Sequence, residues 1–369
     1  IFCIPRIFEY YDKLGHSMPY ANIRNGAQGV YILHFNFFPQ MYSNSPVDLD
    51  TAIPNSVKNG VRNGDIKLLW CYHENDFPDE TNGLFDAISY TSEKHNLPLH
   101  NQHIYFNNYD LETRKTQWQN THNKNLPDCD FLFWDELDLY SQNSNTPTIN
   151  TNNTHKFINL NHIHKPHRAI VAGYLEKNYQ GLISYHNKDY SDLINNWDDF
   201  LGDGFECEKF SFEDQQQFFA KLPITLEENL HNNWWQIHND LGTHKHSNTS
   251  FLHVVNETYY DSNSGLTEKS LKPLLLGKPF IINGPMHSHK ILQDLGYKLY
   301  PFFDYEFDNI EDRGTRMDML IKNLDNILSK DINELNKLHK QFVDIAQHNQ
   351  QNFINRAEKQ LNEFYIYIQ

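Results

Sequence analysis

Four cysteines in 369 residues, Cys3, Cys71, Cys129 and Cys207, are too few and too scattered for a disulfide framework. None belongs to a CxxC pair, so the close ligand spacing of a structural zinc site is missing too. Reduced thiols in a cytoplasmic protein are the expectation. Basic side chains are also short, with 31 Lys and Arg against 47 Asp and Glu and a formal net charge of −16. Tight non-specific binding to nucleic-acid phosphates depends on clustered cations, so this balance disfavours nucleic acid as a partner while leaving room for a local basic groove. No apolar run reaches the roughly 20 residues of a membrane-spanning helix, and no membrane span is expected. Residues 1–15, IFCIPRIFEYYDKLG, carry neither the charged start nor the cleavage site of a secretory signal, and the missing initial Met fits a trimmed or partial chain. Dinucleotide GxGxxG, Walker-type lysine loop, G-x-S-x-G elbow and zinc-deaminase signature are all missing.

What is present is a core. Hydrophobic residues make up 39% and aromatics 14% of the chain, enough to bury sheets with helices against them. The length exceeds one ordinary core and fits two domains. The Ser/Thr/Asn tract at residues 141–154, SQNSNTPTINTNNT, is the best linker candidate. The reading is therefore residues 1–150 and 151–330 as two domains, followed by a helical tail at 331–369.

In the first domain, GVYILHFNFF at 29–38 reads as a strand, 53–64 as a helix, and IKLLWCY at 66–72 as a buried strand ending in His73-Glu74-Asn75-Asp76. Helices are expected at 84–95 and 110–122, and strands at 103–107 and 131–134, the last ending in Asp135-Glu136. Alternating strands and helices predict a Rossmann-like parallel sheet. Function in such sheets gathers at the carboxyl ends of the strands, which makes Glu74, Asp76, Asp135 and Glu136 the candidate catalytic carboxylates.

The most informative stretch is 250–284, SFLHVVNETYYDSNSGLTEKSLKPLLLGKPFIING, which reads as strand, loop, helix, strand. Thr267 is the expected N-cap, placing Glu268 and Lys269 in the first turn, where the helix dipole favours bound anions. A lysine there suits a phosphate; Glu268 and Glu257 suit sugar hydroxyls. Upstream, a strand at 156–160 leads through NHIHKPHR to a helix at 169–178, with Asn161 at the strand end and Arg168 at the helix start as further candidates. Residues 187–241 read as acidic and partly helical, with Trp234 and Trp235 as packing residues, and 287–300 as a helix and a short strand. An acidic loop at 304–316 and helices over 310–364 complete the chain.

The run FLHVVNET, a loop, and LTEKSLKPLLLGKPFIINGP resemble the donor-binding signature of alpha-1,3-fucosyltransferases. They are also similar to uncharacterised phage and marine-virus glycosyltransferase-like proteins, which share the basic stretch and His-Arg at a helix start. The likeness covers about 155–312. Thr258 follows Glu257 directly where the fucosyltransferases have Asn-Ser, so the donor stays open between a GDP- and a UDP-sugar. The resemblance implies a GT-B-like α/β fold, two Rossmann-like domains facing a cleft, with the sugar inverted onto an acceptor hydroxyl of a glycan or other molecule. Asn161, Arg168, Glu257, Thr267, Glu268 and Lys269 would then hold the nucleotide-sugar, and a carboxylate of the first domain, Glu74 ahead of the others, would act as base. A viral origin would place it in host cytoplasm.

Three other constellations were weighed. The pairs His162/His164, His244/His246 and His287/His289 would share a face on a strand, yet 21 histidines make such pairs common and no metal ligand is assigned. A divalent cation on the diphosphate is compatible but not required. Competing functions are a transferase for hydroxymethylated bases of viral DNA, a non-catalytic sugar-nucleotide-binding protein, and a structural virion protein with exposed apolar patches.

Overall fold

Runs of β-branched and aromatic residues separated by amphipathic stretches fold into strands joined by helices. In the computed structural model, residues 20–25, 28–35, 53–72, 78–106, 111–131, 136–137, 139–140, 146–162, 164–185, 207–226, 244–260 and 266–368 are described. The chain divides into two compact units, Ile1–Ser141 with Ala357–Gln369, and Gln142–Arg356. Both contain parallel sheet and helices, which is an α/β class.

In the first unit, β1 (Tyr20–Asn25), β2 (Gln28–Phe35), β3 (Ile66–Tyr72), β4 (Gln102–Phe106) and β5 (Asp128–Phe131) lie side by side in chain order. The first pair is antiparallel and the rest are parallel. Helices α1 (Asn55–Asn63), α2 (Pro78–Lys94) and α3 (Leu111–His122) make the crossovers. Right-handed crossovers that all step the same way put their helices on one face. The core agrees: Leu68, Trp70, Ile104 and Phe106 pack with Val61, Phe85 and Trp118. Among the described strands the order never reverses. Of the strand expected at 131–134 only Phe131 is described, as the end of a strand that begins at Asp128, where Cys129 is buried and exposed aspartates at 128 and 130 disguise it; 132–134 lie outside the described residues.

In the second unit, β6 (His155–Asn161), β7 (Leu182–Tyr185), β8 (Ser250–Asn256) and β9 (Phe280–Asn283) are all parallel, in the order β7-β6-β8-β9. Helix α4 (Pro166–Asn178) carries β6 to β7, and α7 (Glu268–Leu276) carries β8 to β9 the other way. Between them come α5 (Phe212–Phe219), started by a Ser211/Asp214 capping box, and α6 (His244–Thr249). Trp234 and Trp235 lie outside the described residues. After β9 follow α8 (Ser288–Asp294), α9 (Arg313–Leu328), α10 (Ile332–Gln341) and α11 (Val343–Ile368), whose residues from Ala357 on belong to the first unit. The acidic stretch at 304–316 is a 3-10 turn, Glu306–Asn309, running into the first turn of α9. The short strand expected near 297–300 does not form, because the Asn349 side chain takes both backbone groups of Lys298, at 2.7 and 2.9 Å.

The polar tract before β6 is anchored in its described part. Asn153 donates to Asn336 Oδ1 at 2.8 Å, and the buried Lys278 ammonium donates at 2.7 Å to the Asn150 carbonyl, Asn153 Oδ1 and the Asn248 carbonyl. Asn153 is buried and Asn150 half-buried, and both join the segment to the foot of the second sheet. No helix among the described residues is long and apolar enough to cross a membrane.

Four histidines of this unit fold in as neutral rings. Burial pushes His167 and His253 down to about 3, and His164 and His339 down to about 4. An unfolded histidine titrates near 6.5, so from pH 6.5 down to about 4 the unfolded chain binds protons that the folded chain does not. Stability should therefore fall as pH drops through that window. Urea midpoints at pH 7, 6 and 5 should show it, and His253→Gln, whose amide can still donate to the Ser247 carbonyl, should give a slope shallower by about one proton. Identical slopes would mean that His253 is charged in the folded protein.

Candidate functional site

The order of the second sheet reverses between β6 and β8. In open parallel sheets such a reversal opens a crevice at the carboxyl ends of the two strands, because the following helices leave to opposite faces. The candidate residues at 161–168 and 257–269 stand on the two segments that leave those ends.

The crevice floor begins with asparagine. Asn161, Asn256 and Asn283 end β6, β8 and β9, and all three are buried. Their amides form a one-way chain: Asn283 Nδ2 donates to Asn256 Oδ1 at 2.6 Å, Asn256 Nδ2 to Asn161 Oδ1 at 2.8 Å, and Asn161 Nδ2 to Asn159 Oδ1 at 2.7 Å. Asn159 ends the chain on the Val254 carbonyl at 2.7 Å. The direction is fixed because Asn159, Asn161 and Asn283 also donate to backbone carbonyls, those of Val254, Ser184 and His167, which cannot donate in return. Asn283 Oδ1, the far end, is buried and has no partner among the described residues.

Glu257 follows β8 and has no exposed surface. Its carboxylate accepts from the Thr267 amide at 3.0 Å, Thr267 Oγ1 at 2.7 Å, the Thr258 amide at 3.2 Å and Ser270 Oγ at 2.5 Å. It therefore occupies the anion position at the start of α7 itself. Its backbone carbonyl accepts from His167 Nε2 at 2.9 Å and from Arg168 Nε and Nη2 at 3.1 and 2.9 Å, which fastens the start of α4. These contacts make Glu257 and Arg168 buried groups that position the starts of α7 and α4. Thr267 is the N-cap, accepting from the Lys269 amide at 3.4 Å.

The rim is cationic. Lys269 Nζ is partly exposed, pairs with Glu268 Oε1 at 2.7 Å and reaches Thr258 Oγ1 at 3.4 Å. Lys165, the N-cap of α4, lies over the Tyr259 ring at 4.9 Å. Burial, then the charges of Arg168 and Lys269, lowers the Lys165 pKa, and burial lowers that of Arg168 against the pull of Glu257, Tyr185 and Glu268. Among the described residues three cations face two carboxylates, with burial holding His164 and His167 neutral, so the described part of the spot is positive in a chain of net charge −16. Below it, Tyr260 is stacked on His167 with ring centroids 5.2 Å apart, and the Arg316 guanidinium covers its ring at 4.1 Å. Tyr260 is a packing residue.

Of the proposed catalytic carboxylates, Glu74, Asp76 and Asp135 lie outside the described residues. Glu136 is fully buried and accepts a hydrogen bond from Gln360, so its carboxylate faces the interior of the first unit. The paired histidines do not sit on strands. His162 and His164 follow β6, His244 and His246 are helical, and His287 and His289 open α8, where i,i+2 positions diverge. His289 is tied to Asp308 at 3.0 Å and to the Ile282 amide at 3.1 Å. Among the described residues no three His, Cys, Asp or Glu are placed to hold a metal ion.

Sequence reasoning missed Lys165, Asn256 and Asn283. The lysine sat inside the basic stretch that drew attention to Arg168; the asparagines look like ordinary strand ends. No protein-family model, curated protein or solved structure matches this chain.

A Cβ at Gly284 would stand 2.9 Å from Glu257 Cβ and 3.0 Å from its Cγ, and the Glu257 side chain is held too firmly to yield. Gly284→Ala should cost about 1–3 kcal/mol in urea denaturation. Glu257→Gln should cost about 2 kcal/mol or more, because its amide brings N–H donors against the Thr267 amide. A Glu257→Gln variant as stable as wild type would show that the start of α7 does not depend on this carboxylate.

Proposed function

We propose that this chain is a glycosyltransferase of GT-B type that moves a sugar from a nucleotide-sugar donor, GDP- or UDP-linked, to an acceptor hydroxyl. The observation that carries the reading is the gathering of Lys165, Arg168 and Lys269 at the order reversal of a parallel sheet. Their mutual repulsion is relieved by a bound anion, and a diphosphate leaving group is the anion such transferases must neutralise. The likeness of the Thr267-Glu268-Lys269 helix and its flanking strands to the fucosyltransferase donor signature points the same way.

In this reading the second unit holds the donor. Lys269 and Lys165 meet the diphosphate, and Arg168 adds its charge from beneath. Glu268, beside Lys269, is the remaining candidate for a sugar or ribose hydroxyl. The first unit binds the acceptor, with Glu74 the preferred base, followed by Asp76 and Asp135. The acceptor oxygen bonds to the anomeric carbon, its proton passes to the carboxylate, and the bond from that carbon to phosphate oxygen breaks with its electron pair leaving on the nucleoside diphosphate. Inversion follows if the two oxygens lie on opposite sides of the ring.

Thermal-shift and calorimetric titration against GDP-, UDP-, ADP-, CMP- and dTDP-sugars tests it. One nucleotide class should stabilise the protein by about 2.7 kcal/mol at a hundred times its Kd, and Lys269→Ala should lose most of that. Failure of every donor at millimolar concentration would falsify the assignment.

A further inference from the structure

A central strand of a parallel sheet is normally covered on both faces. Leu160 in β6 breaks that rule: it is 37% exposed, one of two large hydrophobic side chains at that level among the described residues. The register explains which face it uses. Ile158 stands beside His253 in the β6–β8 ladder, so Leu160 shares a face with Val255, and Asn161 with Asn256. One face of the crevice is therefore the closed asparagine row. The other carries Leu160.

Helix α7 lies over the Leu160 face. Its C-cap carbonyl at Gly277 bonds to His339 at 3.0 Å, and His339 packs edge-on against Phe251, which shares that face of β8. Lower down, Lys156 Nζ reaches the Leu328 carbonyl at the end of α9, 2.8 Å away. Cover thus exists beside and below Leu160, but among the described residues its own position near the carboxyl end of β6 stays open. From Leu160 to Thr258, which touches Lys269 just past the end of β8, is one strand spacing across and three residues along, at most roughly 11 Å at ~4.8 Å per strand and ~3.3 Å per residue.

An apolar platform at that distance from a cationic rim fits a ligand with a flat ring at one end and a diphosphate at the other. Resting on the donor reading above, we infer that Leu160 is the platform for the nucleoside base, with the diphosphate running to Lys269 and Lys165. On the opposite face of the strands the asparagine N–H groups are engaged, and the unmatched acceptor of the row, Asn283 Oδ1, lies two strands away from β6.

The test is isothermal titration of GDP, UDP and inorganic diphosphate into the full chain and three variants. Leu160→Ser should weaken the nucleoside diphosphate that binds about tenfold and leave inorganic diphosphate unchanged; Leu160→Met should restore the lost affinity. Lys269→Ala should weaken both probes. A nucleoside diphosphate affinity unmoved by Leu160→Ser, with Lys269→Ala still damaging, overturns the platform and leaves the donor site standing. Equal weakening of both probes by Leu160→Ser also overturns it, since the variant then disturbs the phosphate end. No binding of any probe to the wild-type chain overturns platform and donor reading together. Leu160 is exposed, so its variants are expected to melt within a degree or two of wild type.

Discussion

The buried carboxylate of Glu257 is the contact on which the second unit's crevice depends. A carboxylate taken fully out of water is costly unless every oxygen is matched by donors. Here two backbone amides and two hydroxyls match it, and they come from the loop it begins and from the first turn of α7. Because the same residue's carbonyl collects His167 and Arg168, one residue fastens the starts of both helices that leave the reversal point. Gly284 supplies the space next to it. Losing any one of these partners would leave a charge or a donor stranded, so the group behaves as one unit.

That unit sets the local electrostatics. The helix α7 dipole is answered internally by Glu257, so a ligand does not need to supply the charge that caps it. What remains is the cluster of Lys165 and Lys269 at the rim over the buried Arg168, where burial, and then the neighbouring cations, disfavour the charge of Lys165. For the proposed donor site this puts side-chain charge ahead of helix amides in holding an anion, which would make binding sensitive to ionic strength.

The outline of the fold was legible in the sequence because its signals are local. Thr267 as an N-cap, the buried run of β3, and the helix after NHIHKPHR follow from residue type and spacing over a few positions. The roles of Glu257 and Arg168 were not legible, since a strand-end glutamate has the same sequence signature whether it meets a ligand or a neighbouring helix. Deciding between them needs the position of residue 267 relative to 257, which is a tertiary fact. The asparagine row was hidden for a similar reason: three asparagines more than twenty residues apart share a row only once strand order and register are known. In the first unit, Asp128 and Asp130 concealed an edge strand whose single buried position is Cys129.

The two faces of the crevice divide its tasks. A polar row whose direction is set by three backbone carbonyls has essentially one arrangement, so it holds the carboxyl ends of β6, β8 and β9 in register without adapting to what binds. Its buried, in-register amides also explain why the strand ends remain closely spaced where the helices diverge. The opposite face is built from the other residue parity of the same strands, and there the polar network stops: Val255 and Leu160 replace amides, and Leu160 is left uncovered. Rigidity on one face is what allows the other to be open, because a central strand can expose an apolar side chain at its end only if its backbone is held from behind.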